Sequence, residues 1–281
     1  MKVLVTGANG QLGYDVIKRL NALGDEPVGA DREEFDITDG KATEDYITAL
    51  RPDAIVHCAA YTAVDKAEDD RDTCRKVNVD GTRNIVLACE KIGAKLVYIS
   101  SDYVFGGSGT QPLEIDAPKD PQNIYGITKL GGEEEAKKCQ KHFIVRTSWV
   151  FGINGGNFVK TMLRLADSHE KLTVVDDQTG SPTYTPDLAR LICDMIKTEK
   201  YATYHASNEG YCTWAEFAKE IMRQAGKATE IVPCTTAEYP AKAKRPENSR
   251  LSKKCLDDAG FDRLPPWQDA LARFLKELDL A

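Results

Sequence analysis

The 281-residue chain has little of what several classes of protein require. It contains only 4 histidines, and its 8 cysteines lie at least 15 residues apart, so no CxxC pair is present. Zinc sites and disulfide frameworks use closely spaced residues of these types, and we therefore expect free thiols and no metal. Basic residues number 37 against 44 acidic ones, a net charge of −7, which argues against nucleic-acid binding through bulk positive charge.

Long apolar runs are also absent. No stretch approaches the roughly 18 consecutive apolar residues that a membrane-spanning helix needs. The first glycine occurs at residue 7, too early for the apolar region of a signal peptide. Together these absences predict a cytoplasmic protein that binds neither membrane nor nucleic acid. Hydrophobic residues make up 42% and charged residues 29%, which is typical of a folded globular chain.

What the sequence does contain is an alternation of strands and helices over its first half. Short apolar runs such as KVLVT, AIVHCA and KLVYIS predict buried strands, and segments with apolar residues at helical spacing separate them. This order predicts an α/β fold of the Rossmann type, with a doubly wound parallel sheet. The predicted strands are 2–6, 27–30, 54–59, 95–101 and 142–147, and the predicted helices are 11–23, 43–50, 71–92 and 125–139.

The alternation weakens after about residue 150. Polar stretches that contain proline separate the later helices, which we predict at 158–168, 186–197, 214–225 and 267–278. We therefore predict an NAD(P)-binding domain over residues 1–150 and a smaller C-terminal substrate-binding lobe over residues 151–281. The boundary is not sharp, because we expect elements of the two parts to interleave.

The segment GANGQLG, residues 7–13, lies between the first predicted strand and the first predicted helix. Its glycines permit a tight turn and let a pyrophosphate approach the backbone. Free N–H groups and the helix dipole favour an anion at such a helix N-terminus. This context predicts a dinucleotide site, and glycines that serve only the turn are the alternative.

Asp31 ends the second predicted strand, 24 positions after Gly7. A carboxylate at this place can accept hydrogen bonds from the adenosine ribose hydroxyls, and it repels a 2′-phosphate. Arg32 follows directly and can pair with that phosphate, which works against the repulsion. We therefore expect NADH to be preferred and NADPH to be accepted.

The segment YGITK places Tyr125 and Lys129 on one face of a predicted helix. Tyrosine has a free pKa of about 10, and a neighbouring ammonium group lowers the pKa by stabilising the phenolate. Such a tyrosine can protonate a ketone oxygen as hydride reaches the carbon. Ser101 ends the fourth predicted strand, at the sheet edge where open α/β proteins bind ligands, and its hydroxyl can donate to the same oxygen. Taken alone, a Tyr–Lys pair is more often a plain feature of a helix surface than a catalytic pair.

These motifs together resemble the extended short-chain dehydrogenase/reductase superfamily. A closer similarity is to the dTDP-4-dehydrorhamnose reductase family, and it is carried by HCAAYTAVDKAE at 57–68, SDYVF at 101–105, RTSWVF at 146–151, NF at 157–158 and RPENSRL at 245–251. The resemblance implies that NAD(P)H reduces the C4 ketone of dTDP-4-dehydro-L-rhamnose to give dTDP-L-rhamnose. Family members often carry threonine where Ser101 stands, and either hydroxyl can donate.

The resemblance also implies roles for individual residues. Tyr125 would donate the proton, Lys129 would bind the nicotinamide ribose, and Ser101 would contact the substrate oxygen. The implied cofactor-binding residues are Gly7, Gly10, Gln11, Leu12, Gly13, Asp31, Arg32, Asp36, Ile37, Ala59, Ala60, Tyr61, Thr62, Tyr125 and Lys129. The implied substrate-binding residues are Ser101, Asp102, Tyr103, Trp149, Asn157, Arg245 and Arg250.

Two parts of the implied substrate site have plain structural alternatives. Trp149 ends the fifth predicted strand, where its ring can stack on a sugar or a base, but a core tryptophan would look the same. Lys242, Lys244, Arg245 and Arg250 form the one basic cluster of the second half. Arginine binds diphosphates with paired hydrogen bonds, so we expect this cluster to hold the substrate diphosphate, with a solvated loop as the alternative.

Other functions remain open from the sequence. A related reductase could act on another dTDP-4-keto-6-deoxy sugar, because pocket shape decides stereochemistry. A regulatory subunit like that of methionine adenosyltransferase shares the fold and binds a dinucleotide without catalysis. Some family members hold magnesium with acidic residues at a subunit interface, and Asp15 is one candidate, but no full ligand set is identifiable. A homodimer is one option for the assembly.

Overall fold

A computed structural model describes residues 1–239 and 241–279 of the chain. The strands are β1 (Lys2–Thr6), β2 (Glu26–Ala30), β3 (Ala54–His57), β4 (Lys95–Ser101), β5 (His142–Thr147), β6 (Val150–Phe151), β7 (Lys171–Val175), β8 (Thr179–Gly180), β9 (Thr183–Tyr184), β10 (Thr203–His205), β11 (Cys212–Thr213) and β12 (Glu230–Cys234). The α-helices are α1 (Gln11–Ala22), α2 (Gly40–Leu50), α3 (Val64–Ala67), α4 (Arg71–Arg75), α5 (Thr82–Ile92), α6 (Ile124–Ala136), α7 (Phe158–Ala166), α8 (Thr185–Ile196), α9 (Trp214–Gln224), α10 (Lys254–Ala259) and α11 (Trp267–Glu277).

A parallel sheet of six strands forms the centre of the molecule, in the order β10-β5-β4-β3-β1-β2. Every neighbouring pair in this sheet is parallel. The order of connection reverses at β1, which lies between β2 and β3, and ligands of open α/β sheets bind at the carboxyl ends of strands beside such a reversal. The predicted α/β fold of the Rossmann type is confirmed.

Helices cover both faces of the sheet, and the strands supply apolar side chains to both. Val3 and Val5 belong to a buried cluster with residues of α1 and α8 on one face. Leu4, between them, belongs to a second cluster with residues of α2 and α5 on the other face. Side chains that alternate between two buried faces explain why these strands read as continuous apolar runs.

The predicted helix 71–92 is interrupted in the structure. α4 leads into a π-helical segment, Lys76–Gly81, before α5 continues to Ile92. The segment buries Asn78 against the loop after β3: its Oδ1 accepts from the Tyr61 amide at 2.8 Å, and its Nδ2 donates to Thr128 Oγ1 at 3.0 Å. Segments of π-helix occur frequently near functional sites, and here the segment braces a loop of the cleft described below.

The second half contains more strands than we predicted. β10 pairs with β5 and completes the central sheet, although it follows residue 150. Parallel β7 and β12 pack with α7, α9 and α11 around a separate apolar cluster. β10 is short, and β7 and β12 are partly polar. These strands therefore lack the continuous apolar runs that mark the strands of the first half. Among the described residues, no helix has both the length and the apolar character needed to cross a membrane.

Candidate active site

A cleft of about 810 Å³ lies along the carboxyl edge of the central sheet. The turn from β1 to α1 lines one end, and the ends of β4 and β5 line the other. The first residue of α9, Trp214, contributes a wall from the second half of the chain. The cleft is thus bounded by the two halves of the molecule.

Glycine is required at the turn that closes the dinucleotide end. Gly7 has a φ of +67°, and a Cβ there would lie 2.7 Å from the Ala59 nitrogen. A Cβ on Gly13 would lie 2.2 Å from the Gly7 carbonyl oxygen, which is far inside van der Waals contact. The three pieces of backbone can therefore approach each other only because these residues have no side chain.

The N-terminus of α1 presents free main-chain amides. Gly10 occupies the N-cap position without a side-chain hydrogen bond, and the first turn carries no acidic residue. Among the described residues, the amides of Gln11, Leu12 and Gly13 have no hydrogen-bond acceptor. Free N–H groups beside a cleft are what a pyrophosphate binds, so the residues present fit a dinucleotide.

The residues expected around adenosine lie where the cleft passes the end of β2. Asp31 Oδ2 accepts a hydrogen bond from the Asn9 amide at 2.9 Å, which ties β2 to the glycine turn. Arg32 is exposed and lines the cleft beside Asp31. Hydrogen bonds from Thr38 hold the pKa of Asp36 below its ordinary value, so this carboxylate remains ionised near neutral pH. A carboxylate and a cation thus flank the adenosine end.

The reaction end brings together the three side chains that the sequence singled out. Tyr125 lies in the first turn of α6, which Asn123 caps by accepting from the Gly126 amide at 2.8 Å. Ser101 ends β4, and both side chains line the cleft together with Lys129. Ser101 and Tyr125 are close enough for the serine hydroxyl to act on the pKa of the tyrosine, which it lowers.

Lys129 is held in place by the main chain and by a neighbouring ring. It is 2% exposed, and its Nζ donates to the Ile99 carbonyl at 2.6 Å and lies 4.2 Å from the centre of the Tyr98 ring. Burial lowers the pKa of Lys129 to about 7, because an ammonium group is poorly solvated there. The position of Lys129 is therefore held by main chain and ring rather than by Tyr125.

The expected lowering of the tyrosine pKa is not found. Burial raises the pKa of Tyr125 above its ordinary value, and the hydrogen bond with Ser101 opposes that rise only in part. The direction is opposite to our expectation because desolvation of a phenolate outweighs the stabilisation that its neighbours give. In this arrangement Tyr125 holds its proton firmly at neutral pH.

We expected the ring of Trp149 to be free to stack on a sugar or a base, and the structure differs. Its ring stacks on that of Trp214, with ring centres 3.7 Å apart and planes inclined by 13°. Its backbone has a φ of +49°, which is unfavourable for a residue with a side chain. A Cβ on Gly180 would lie 2.8 Å from this indole, so the glycine makes room for it. One face of Trp149 is covered by protein and cannot stack on a ligand as it stands.

Most of the predicted site residues line this cleft. All three predicted catalytic residues and all predicted cofactor-binding residues do so, as do Asp102, Tyr103 and Trp149 of the substrate set. Asn157, Arg245 and Arg250 do not. Asn157 instead caps α7, accepting from the Lys160 amide at 3.0 Å. The assigned roles of all these residues remain predictions.

The predicted basic cluster is largely engaged with other protein groups. Arg245 forms a two-point ion pair with Asp65, with a shortest distance of 2.7 Å. Lys242 pairs with Asp69, and Lys244 donates to Gln122. Arg250 donates to Asn248 Oδ1 at 2.9 Å. The acids come from the segment at 65–69, which is remote in sequence, so charge counting along the chain did not anticipate the neutralisation.

The structure adds lining residues that the sequence analysis did not select. Thr147 ends β5, Ser148 follows it, and Cys58 follows β3, so the rule that sites lie at carboxyl ends of strands could have found them. The same rule could not have found Trp214. The capping box of Thr213 and Glu216 marks the start of α9, but only the fold brings Trp214 to the cleft. The remaining additional lining residues are Thr6, Ala30, Phe35, Val64, Val77, Ile99, Ser100, Val150 and Gly156.

Comparison with known proteins gives one consistent result. The family model described as the RmlD substrate binding domain matches residues 1–280. The spore coat polysaccharide biosynthesis protein SpsK of Bacillus subtilis is 43% identical over 277 residues, 98% of this chain and 97% of that protein. The dTDP-4-dehydrorhamnose reductase of Streptomyces griseus is 38% identical over 276 residues, 95% of this chain and 91% of that protein. The crystal structure of dTDP-4-dehydrorhamnose reductase from Bacillus anthracis in complex with NADP is 44% identical and superposes with a TM-score of 0.96, covering 98% of this chain and 99% of that one.

Proposed function

Because this chain belongs to the dTDP-4-dehydrorhamnose reductase family, we propose that it reduces the C4 ketone of dTDP-4-dehydro-L-rhamnose to dTDP-L-rhamnose. The family membership predicted from the sequence is confirmed. The chain is an NAD(P)H-dependent oxidoreductase of the Rossmann type that acts on a dTDP-sugar. The identity of the sugar and the roles of individual residues are the parts that we propose.

One observation supports the reaction most strongly. A single cleft has unsatisfied helix amides at one end and the convergent side chains of Ser101, Tyr125 and Lys129 at the other. The first end suits a dinucleotide, and the second suits proton transfer to a ketone oxygen. A dinucleotide-binding protein without catalytic activity has no need of the second end, and this favours an enzyme over a regulatory subunit.

We assign each residue of the site a role from its position in the cleft. When bound, NAD(P)H supplies the hydride that the ketone carbon receives. Tyr125 donates its phenolic proton to the ketone oxygen, so that the C=O bond becomes a secondary alcohol. Ser101 donates a hydrogen bond to the same oxygen as negative charge develops on it. Lys129 holds the nicotinamide ribose, and its positive charge stabilises the phenolate that Tyr125 becomes.

The raised pKa of Tyr125 is compatible with an acid that must keep its proton until hydride arrives. A phenol that ionised before the substrate entered would have no proton to give. Burial that disfavours the phenolate also disfavours the state after donation, so Ser101 and Lys129 are needed to offset that cost. The substrate oxygen becomes strongly basic only as hydride reaches the carbon, which couples the two transfers.

We infer that NADH is preferred and NADPH accepted, since Asp31 and Arg32 lie side by side at the adenosine end. We also infer that residues 151–281 act mainly as the substrate lobe, with residues 1–150 holding the dinucleotide. In this division, β10 and α8 pack with the cofactor-binding half, and Trp214 supplies the substrate side of the cleft.

The direct test is turnover with defined sugars. The purified protein should oxidise NADH when given dTDP-4-dehydro-L-rhamnose, and NMR of the product should show dTDP-L-rhamnose. The same assay with the C4-ketones of other dTDP-6-deoxy sugars tests the choice of sugar. Faster turnover of one of those would replace the proposed substrate, and no turnover with any of them would support the regulatory role.

A further inference from the structure

A buried carboxyl group lies directly behind the reacting side chains. Asp102 is 3% exposed and lines the cleft beside Tyr125. The Ser101 hydroxyl lies 2.8 Å from its Oδ1, as donor to it. Its other oxygen, Oδ2, has no hydrogen-bond partner within residues 1–239 and 241–279. A buried carboxylate with an unpartnered oxygen is unfavourable, and protonation of the carboxyl group at Oδ1 removes the buried charge.

The hydrogen-bonding capacity of Ser101 is limited. A serine hydroxyl has one proton to donate and two lone pairs that accept. One lone pair accepts from the Tyr103 amide, whose nitrogen is 3.2 Å away. The single proton can therefore reach either Asp102 or a group in the cleft, but not both.

We propose that Asp102 sets the direction of the Ser101 hydroxyl, and that reduction requires the protonated form of Asp102. In that form the carboxyl O–H donates to Ser101 Oγ, and the serine proton is free to donate to the ketone oxygen. In the ionised form the carboxylate accepts the serine proton, and Ser101 offers only a lone pair, which competes with the substrate for the Tyr125 proton. Asp102 is thus a positioning residue, and this assignment rests on the proposed reductase function.

The groups with the largest effect on the pKa of Asp102 are uncharged at neutral pH. Ser101 and Tyr103 flank it on its own segment, Tyr125 faces it from α6, and Ser249 faces it from the loop before α10. Burial raises the pKa of Asp102 to about 6. Both protonation states are therefore accessible near the pH at which an assay is run, so the coupling is measurable.

The kinetic test uses Asp102→Asn, which replaces the titrating carboxyl by an amide of the same shape that can donate at every pH. Wild-type kcat/KM for the ketone should fall about ten-fold per pH unit above the pKa of Asp102, because one ionisation removes the active form. The variant should lack the fall that begins near pH 6, and at pH 8, two pH units higher, it should exceed wild type about 100-fold. The ionisation of Lys129 affects both proteins alike and leaves this ratio unchanged. A fall beginning near pH 6 that persists in the variant, or a variant less active than wild type at pH 8, overturns the proposal.

The role is also tested without turnover. In ligand-free protein labelled with 13C at the aspartate carboxyl, the NMR signal missing from Asp102→Asn should titrate with a midpoint near pH 6 in wild type. The midpoint should rise in Ser101→Ala, since the donor that stabilises the carboxylate is gone. A midpoint below pH 4, or one that Ser101→Ala leaves in place, overturns the coupling.

A double variant separates positioning from general structural damage. If Asp102 acts through Ser101, adding Asp102→Asn to Ser101→Ala should change the residual kcat/KM by less than about two-fold at any pH. A larger change in the double variant, whether a gain or a loss, would assign Asp102 a separate role and overturn the proposal. Absence of turnover in wild type with every dTDP-linked ketone would instead reject the reductase function, and the NMR titration would still decide the coupling.

Discussion

The two ends of the cleft differ in the chemical groups that line them. At the glycine turn of the dinucleotide end, the groups that face the cleft are main-chain amides and glycine Cα atoms, as at Gly7 and Gly13. At the reaction end they are side chains, and burial shifts the pKa of Tyr125, Lys129 and Asp102 away from their ordinary values. The first end recognises shape and charge with groups that every residue has, whereas the second acts through particular functional groups.

This difference predicts opposite sensitivities. The dinucleotide end should tolerate loss of polar side chains but not added volume, because its surfaces meet at backbone contact. The reaction end should tolerate small changes in volume but not the loss of one polar atom. The predictions below test that contrast, beginning with the largest expected effect.

Tyr125→Phe should remove catalysis and leave the dinucleotide end intact. The ring remains and only the proton donor is lost, so kcat should fall about 10²- to 10⁴-fold. The dissociation constant for NADH, followed by fluorescence titration, should stay within about two-fold of wild type. Tyr14→Phe, at an exposed tyrosine outside the main cleft, is the matched control. A kcat within a few-fold of wild type would exclude Tyr125 as the acid.

Gly13→Ala should have the opposite effect: it should weaken NADH binding and leave catalysis largely intact. A Cβ would lie 2.2 Å from the Gly7 carbonyl oxygen, so the turn must shift. Forced overpacking costs about 1–3 kcal/mol, which corresponds to roughly 5- to 150-fold weaker NADH binding if the shift falls on the turn. At saturating NADH, kcat should recover most of its value. Gly40→Ala, at the start of α2 and outside the cleft, is the control, because a Cβ there meets only the side chain of Asn84. Equal NADH affinity in the two variants would contradict the close approach.

Lys129→Met should stabilise the fold while it removes activity. Burial lowers the pKa of Lys129 from 10.5 to about 7, so between these values the folded protein binds fewer protons than the unfolded chain. The contribution of this lysine to stability therefore rises with pH across that window, and its penalty is complete below about pH 7. We expect the variant to melt at least about 2 °C higher than wild type at pH 6.

The difference in melting temperature should narrow as the pH approaches 10, because wild-type Lys129 is then neutral in the folded state. Thermal melts at several pH values measure this. Lys137→Met, at a lysine of the same region that is exposed and pairs with Glu134, should show no such dependence on pH. A variant that melts below wild type throughout would mean that the bond to the Ile99 carbonyl outweighs desolvation.

Arg32→Ala should have the smallest effect, because the side chain is exposed and its charge is screened by solvent. An exposed charge interaction is worth up to about 1 kcal/mol, so kcat/KM with NADPH should fall about three- to five-fold. The value with NADH should change little, which widens the expected preference for NADH. An equal loss with both cofactors would show that Arg32 supports the turn rather than the 2′-phosphate.

The sequence predicted the reaction end only in part. The spacing of Tyr125 and Lys129 placed both side chains on one cleft, as a helix dictates. The direction of the pKa shift of Tyr125 did not follow from the spacing, because desolvation depends on what covers the ring. Trp214 was missed for a related reason, since no local pattern indicates which distant loop a helix N-terminus will face.

The predicted substrate site shows the same limit of sequence analysis, here for a residue that was predicted to bind ligand. Arg245 belongs to a visible cluster of basic residues, and its charge was expected to face a diphosphate. In the folded chain it pairs with Asp65, 180 residues earlier. Ion pairs between remote segments are formed by the fold, and counts along the chain do not reveal them.

Local chemistry determined what the sequence alone could specify: apolar runs made the strands, helical spacing made the helices, and glycines at residues 7, 10 and 13 made the turn. Each of these features depends on neighbours in the chain and on backbone geometry, so it can be predicted from the sequence without knowledge of the fold. Tertiary structure decided the sixth strand, the stack of Trp149 on Trp214, and the protonation of Tyr125, Lys129 and Asp102. Those properties depend on which distant segments exclude water from a side chain, and that exclusion exists only once the chain has packed.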